Sequence, residues 1–285
     1  MEDFLLTTVQ ISGERENSLL NRKMIFRILG ILLTMEAMLF LVCMGVSLYY
    51  QEADYIYFVY SALLNAGEGG LLILGGRNAK NIVTRRDGYC VVAFTWLLFT
   101  AFGMLPFYIS GSIPSVVDAF FETMSGFTTT GATGLDNIES LSHGMLFWRS
   151  FTHWIGGLGI VFFTIVVLPI FGVGNQVLFK AEATGVTHDK IHPKISVMAK
   201  WLWTVYSILT IVEPVLLVIG GMGWFDAVCH AFGTTATGGF STKQASVAYW
   251  NSPFIEYIIA IFMILSAMNF SLYFMCMKGR FGQLF

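Results

Sequence analysis

Two stretches of the chain hold residue types that could ligate a cation without using a charged side chain. The first reads Asp118-Ala-Phe-Phe-Glu-Thr-Met-Ser-Gly-Phe-Thr-Thr-Thr-Gly131 and the second Asp226-Ala-Val-Cys-His-Ala-Phe-Gly-Thr-Thr-Ala-Thr-Gly238. They start 108 residues apart and differ by one residue in length. Each opens on Asp-Ala, continues through about eight helix-compatible residues, and closes on a threonine-rich run ending in glycine. Asp118 and Asp226 stand where a helix N-cap belongs. A short helix starting there turns its carbonyl end, with its partial negative charge, toward whatever follows. Extended backbone with a glycine can then aim successive carbonyls one way. Rings of such carbonyls can replace the hydration shell of a potassium ion. A single TTTG is a weak signal; repetition of the whole unit is what gives it weight.

The elements that position these stretches follow from composition. Of 285 residues, 55% are apolar and 12% charged, about half the charge of a soluble domain. Mean hydropathy is +0.69, so the bilayer is the solvent for much of the surface. Six apolar segments are long enough to cross it: 24–50, 54–75, 89–110, 145–172, 201–222 and 252–277. The apolar run after the polar first 22 residues is too long for a signal-peptide core and reads as a retained helix. Basic residues fix the orientation. Fourteen of the 16 fall before or at the start of the first segment, after the second, after the fourth, or after the sixth. That side is cytoplasmic by the positive-inside rule, and it carries both termini. The opposite side carries Asp54, Asp118, Asp136, Glu139 and Asp226 and should concentrate cations. Both candidate stretches lie on that outer side, in connections of about 34 and 29 residues. Connections that long usually have a function. Non-helical backbone at membrane depth is tolerated only within protein or beside a water-filled cavity. The sequence thus predicts an all-α membrane protein with helix–pore loop–helix repeats related to potassium channels.

Polar residues inside the apolar segments come next, because they are expensive there. Glu36 lies in the first segment and Asn65 and Glu68 in the second; a Glu36–Asn65 hydrogen bond across the two helices is predicted, as a structural clamp rather than an ion site. Arg149, His153 and Gly157 share one helix face. Arg149 either steadies a pore helix, for example through Glu122, or reaches the interface. Glu122 and His230 occupy matching places on the two short helices and read as anchors. Gly156, Gly157 and Gly159 permit close helix contact. Glu213-Pro214 suggests a kink. Asn269 and Ser271 line an inner path or pack, and His188 and His192 belong to a cytoplasmic docking surface. Cys43, Cys90, Cys229 and Cys276 show no metal or disulfide spacing. No HExxH or GxSxG motif occurs, which argues against an enzyme. A net charge of −2 gives no pull toward nucleic acid. A secondary cation transporter, a symporter of potassium or sodium, could use the same repeats.

The sequence resembles the TrkH type of potassium-uptake protein in the Trk/Ktr superfamily. The resemblance rests on Phe120-Phe-Glu-Thr-Met-Ser-Gly-Phe-Thr-Thr-Thr-Gly-Ala-Thr133, Phe147-Trp-Arg-Ser-Phe-Thr-His-Trp-Ile-Gly-Gly-Leu-Gly-Ile160, Leu168-Pro-Ile-Phe-Gly-Val-Gly174 and Ala231-Phe-Gly-Thr-Thr-Ala-Thr-Gly-Gly-Phe-Ser-Thr242. It implies two extra helices followed by four helix–pore loop–helix repeats around one pore. The organisation expected here is a cytoplasmic segment 1–23, two extra helices and a loop 24–88, a first repeat 89–197 and a second repeat 198–285. The filter positions carried over are Thr129, Thr130 and Gly131, and Ala236, Thr237 and Gly238, with potassium held by their backbone carbonyls. Asp118, Glu122, Arg149, Asp226 and His230 would support the pore helices. The resemblance also implies a homodimer in the bacterial inner membrane, a cytosolic TrkA-like nucleotide-binding regulator, and no organic cofactor. Only two repeats are present, so the expectation is an N-terminal half of a longer chain, or two copies that complete one pore.

Overall fold

The computed structural model describes residues 20–79, 85–159, 195–268 and 273, and every long element among them is a helix. Helix α1 (Arg22–Tyr49) begins where the Asn21 side chain accepts from the Met24 amide at 3.2 Å. It folds back on α2 (Tyr55–Gly75) through a five-residue turn. The two backbones close on each other at glycine. A methyl group on Gly30 would lie 2.5 Å from the Gly69 carbonyl oxygen, and one on Gly69 2.7 Å from Thr34 Oγ1. In the same seam the Asn65 amide donates to Glu36 Oε2 at 3.3 Å, both residues being fully buried.

Helix α3 (Arg85–Gly103) stops one residue short of α4 (Leu105–Ile109), where Pro106 sits in the first turn. Proline removes an amide donor and clashes with the preceding turn, so the chain restarts there. The short outer helix α5 (Val116–Phe127) follows, then α6 (His143–Gly157), α7 (Ile195–Ile219), the second short helix α8 (Trp224–Thr235), and α9 (Pro253–Ala267). Helix α7 continues through Pro214 as one helix, and the Glu213 carboxylate beside it is buried against Thr234.

Four helical stretches are long and apolar enough to cross a bilayer: Arg22–Tyr49, Tyr55–Gly75, Arg86–Ile109 and Leu202–Ile219, with Pro253–Ala267 a shorter apolar helix. Of the six expected segments, the fourth is helical from His143 to Gly157; its second half lies outside the described residues. So do His188, His192, Asn269, Ser271 and Cys276. The other three cysteines are free thiols.

The core lies where α1, α3, α5 and α6 meet. Phe40 packs on Trp148 with ring centroids 4.7 Å apart, and Phe127 sits between Trp148 and Phe99 at 6.0 and 5.6 Å. The Trp148 indole N–H donates to the Gly103 carbonyl at 2.8 Å, which satisfies its one polar atom. Large apolar side chains such as Leu63, Leu71, Ile211, Ile219 and Ile264 point outward, which in water would be costly and in lipid is not.

The α1–α2 turn is fastened to the outer end of α6. Glu52 accepts from the backbone amides of His143 (2.9 Å) and Gly144 (3.2 Å) and pairs with His143 Nδ1 at 2.7 Å. A carboxylate in this place caps orphan amides and complements the helix dipole. Tyr50 stacks on the His143 ring with centroids 3.9 Å apart, and Phe225 at the start of α8 meets both edge-on.

Candidate cation site

The short helices α5 and α8 are 12 residues each, longer than the eight expected, and they start before their aspartates. The N-caps are Ser115 and Gly223; Asp118 and Asp226 are the third residues inside. This corrects the assignment of the aspartates as caps. Ser115, in extended backbone, accepts from the Asp118 amide at 3.3 Å, so the cap is already supplied by a hydroxyl. The aspartates instead place negative charge in the first turn, where the dipole favours it. Asp226 also accepts from Thr242 Oγ1 at 2.6 Å.

The segments after the two helices match in hydrogen bonding with a constant 108-residue offset. Thr128 N donates to Met124 O and Ala236 N to Phe232 O. Thr129 N donates to Gly126 O and Thr237 N to Thr234 O. Thr130 N donates to Ser125 O and Gly238 N to Gly233 O. The backbone dihedrals agree. Thr129 and Gly131 have φ of +53° and +74°, and Thr237 and Gly239 have +56° and +89°. Two left-handed residues separated by one that is not left-handed turn successive peptide groups to a common side. A threonine held at positive φ costs about 1–2 kcal/mol. That both segments hold one at the same place marks them as built for something other than stability.

In the matching register the counterpart of Thr129-Thr130-Gly131 is Thr237-Gly238-Gly239, one residue later than the expected Ala236-Thr237-Gly238. Ala236 is the C-cap residue of α8, as Thr128 is of α5. Aligning the first glycine of Gly238-Gly239 with Gly131 produces the one-residue difference in length; positive φ marks the second glycine as the equivalent. The two segments also touch. A side chain on Gly131 would collide with the Gly238 carbonyl oxygen.

Behind the segments the residues of the short helices and the descending chain are joined in the same register. Thr133 Oγ1 donates to Glu122 at 2.9 Å and accepts from Leu135 N at 3.2 Å. Ser241 Oγ meets His230 Nε2 at 2.9 Å and accepts from Lys243 N at 3.0 Å. His230 Nδ1 lies 2.7 Å from the Asp226 carbonyl, so it carries the proton and Nε2 accepts from Ser241. Glu122 takes two more bonds, from Gly134 N at 3.1 Å and from Arg149 Nε at 2.7 Å. Arg149 is almost fully buried and does not reach the interface. Its Nη1 donates to the Ser241 carbonyl of the second segment at 2.9 Å, and its guanidinium lies 3.6 Å from the Phe240 ring centroid. One side chain of α6 therefore binds both repeats.

The glycines of α6 permit close helix contact, as expected. A methyl group on Gly156 would strike the carbonyl oxygen of Phe127, the last residue of α5, and one on Gly157 would lie 2.6 Å from Tyr206 Oη of α7 and from Ala236 Cα at the end of α8. Farther out, Gln244 ties the loops together: its side chain accepts from Ile138 N at 3.1 Å and its amide donates to Glu139 at 3.3 Å. Sequence reasoning missed this link and the Glu52 cap. A glutamine opposite a backbone amide leaves no pattern along the chain. A lone acid in a tight outer turn is a faint signal for the second.

The arrangement has known relatives. Residues 64–281 match the family model for TrkH, described as a cation transport protein. The chain belongs to the TrkH family. It is 39% identical over 260 residues to the Trk system potassium uptake protein TrkH of Halomonas elongata, covering 90% of this chain and 54% of that one. The TrkH of Escherichia coli K12 is also 39% identical, over 258 residues, with 90% and 53% covered. The crystal structure of the potassium transporter TrkH from Vibrio parahaemolyticus matches with a TM-score of 0.76 at 36% identity, over 90% of this chain and 52% of that chain. The chain thus spans about half the length of these TrkH-family relatives. The fold class is that of a multi-pass, all-helical membrane protein of this family.

Proposed function

We propose that this chain contributes two of the backbone segments lining a potassium-conducting pore, and that its activity is potassium uptake. The observation that carries the reading is the paired geometry of Thr128–Gly131 and Ala236–Gly239: the same hydrogen bonds, the same left-handed positions, and an offset of 108 residues throughout. Neither segment places a carboxylate at its tip, so ligands would come from the backbone, as suits a large monovalent ion. The ligating residues would be Thr129, Thr130 and Gly131 with Thr237, Gly238 and Gly239. Glu122, Arg149, His230 and the first-turn acids Asp118 and Asp226 would fix the helices behind them. The names of the relatives support potassium as the ion.

The finer setting follows from the family. The chain would lie in the bacterial plasma membrane with both described ends cytoplasmic, as the distribution of lysine and arginine supports. A homodimer and a cytosolic TrkA-like nucleotide-binding regulator would be its partners. The test is potassium-limited growth of an uptake-deficient bacterium expressing the chain, beside a form extended to four repeats. Rescue by the extended form alone is expected if the two segments make half of a ring. Rescue by the short chain as well points to two copies completing it. Failure of both, with both present in the membrane, removes the potassium reading.

A further inference from the structure

His153 lies one turn beyond Arg149 on α6, is fully buried, and has no part in the support described above. Its ring stacks on Phe240 with centroids 4.0 Å apart and planes 17° from parallel. Its Nδ1 accepts from the Phe240 backbone amide at 3.4 Å. The ring also fills the space beside Gly238: a methyl group there would lie 2.5 Å from His153 Nδ1 and Cε1. His153 thus ties α6 to the amide that follows Gly239 in the second segment, whose Gly238 carbonyl touches Gly131 of the first. The first repeat fixes its own segment through Glu122; the second segment is fixed at Phe240 by a residue borrowed from the first.

We infer that His153 is a positioning residue that sets the height of Gly238-Gly239 against Thr130-Gly131, and so helps determine which monovalent cation the site prefers. The inference rests on the pore reading. Carbonyl cages discriminate ions by the number and placement of their oxygens, so a segment freed at one end should lose discrimination before it loses conduction. The required chemistry is one acceptor at the Nδ1 position, held by neutral imidazole. Asparagine offers an amide oxygen at nearly that place; phenylalanine keeps the stacked ring and offers none.

The experiment uses whichever form of the chain sustains uptake in the growth test, reconstituted in bilayers, with the reversal potential read between potassium and sodium solutions. His153→Phe should lower the potassium-over-sodium permeability ratio about tenfold while potassium current persists, the scale of one buried backbone hydrogen bond. His153→Asn should stay within about twofold of the unmodified ratio. A Phe240→phenyllactate replacement removes the amide proton and also weakens the Gly239 carbonyl as a ligand, so its ratio should fall at least as far as that of His153→Phe, which keeps the test available if that variant does not fold. An unchanged ratio in His153→Phe or in the ester overturns the inference, as does an equal loss in His153→Asn, which would make the ring a spacer. No potassium current in the unmodified protein overturns the pore reading, and the inference with it.

Discussion

The first repeat holds its short helix α5 with an ion pair and the second holds α8 with a histidine, although the hydrogen bonds around the two keep one register. Glu122 and His230 sit at the same place, and each receives a hydroxyl from the chain leaving the segment, Thr133 in one case and Ser241 in the other. What the geometry requires is an acceptor for that hydroxyl; its charge is free to differ. The difference has consequences for stability. A buried carboxylate needs a cation, and Arg149 supplies it. Neutral His230 needs none, and Arg149 directs a second donor, Nη1, to the Ser241 carbonyl. The asymmetry therefore joins the repeats, because the cation of the first is also a ligand of the second.

The comparison can be broken most completely at the tips. Gly131→Ala puts a methyl group into the Gly238 carbonyl on left-handed backbone, whereas Gly239→Ala, also left-handed, meets open space. Potassium uptake should vanish in the first, or lose its preference for potassium. The second should keep folding, with stability lowered by about 1 kcal/mol. Flux assays and thermal unfolding in detergent read the two. A carrier using the same repeats would tolerate Gly131→Ala far better, so retained selective uptake would count against a pore.

Next in size is the ion pair. Arg149→Met leaves Glu122 charged, buried and without its cation, and should cost about 3–5 kcal/mol. His230→Ala removes neutral hydrogen bonds and should cost about 1–3 kcal/mol. Combining Glu122→Gln with Arg149→Met should recover much of the first loss, since no charge is then stranded. If Arg149→Met and His230→Ala prove equally mild by thermal unfolding, the contrast between the repeats is not energetic.

The smallest effects sharpen the equivalence itself. Thr133→Val and Ser241→Ala each remove one hydroxyl from matching places and should each lower stability by about 1 kcal/mol. Unequal losses of more than about 2 kcal/mol would mean that the shared register hides different roles.

Much of this was legible in the sequence, and the misses have physical reasons. The apolar segments announce themselves because a bilayer demands a long uninterrupted run. The Glu36–Asn65 bond could be anticipated because a buried acid needs a donor at the same depth. The 108-residue repeat is visible in the sequence, yet the pairing of Gly131 with Gly238 falls one residue short of the structural match with Gly239, since two adjacent glycines look alike until φ separates them. The aspartates drew attention from Ser115 because both residue types cap helices, and only the backbone shows where the helix begins. The contact from Arg149 to the Ser241 carbonyl left no trace at all, since every residue has a carbonyl.

The hairpin of α1 and α2 also imposes an order on biosynthesis. Its mid-membrane acid, Glu36, finds Asn65 only 29 positions later, so the hairpin can enter the bilayer with that acid already matched. Glu52 waits for His143, 91 positions on, which at ribosomal speed is roughly 5 to 18 s. Glu52 spends that interval at the aqueous edge, where an unmatched carboxylate is harmless. The nascent chain thus presents a finished two-helix template with one open latch, and the latch closes when the helix behind both threonine-glycine segments arrives.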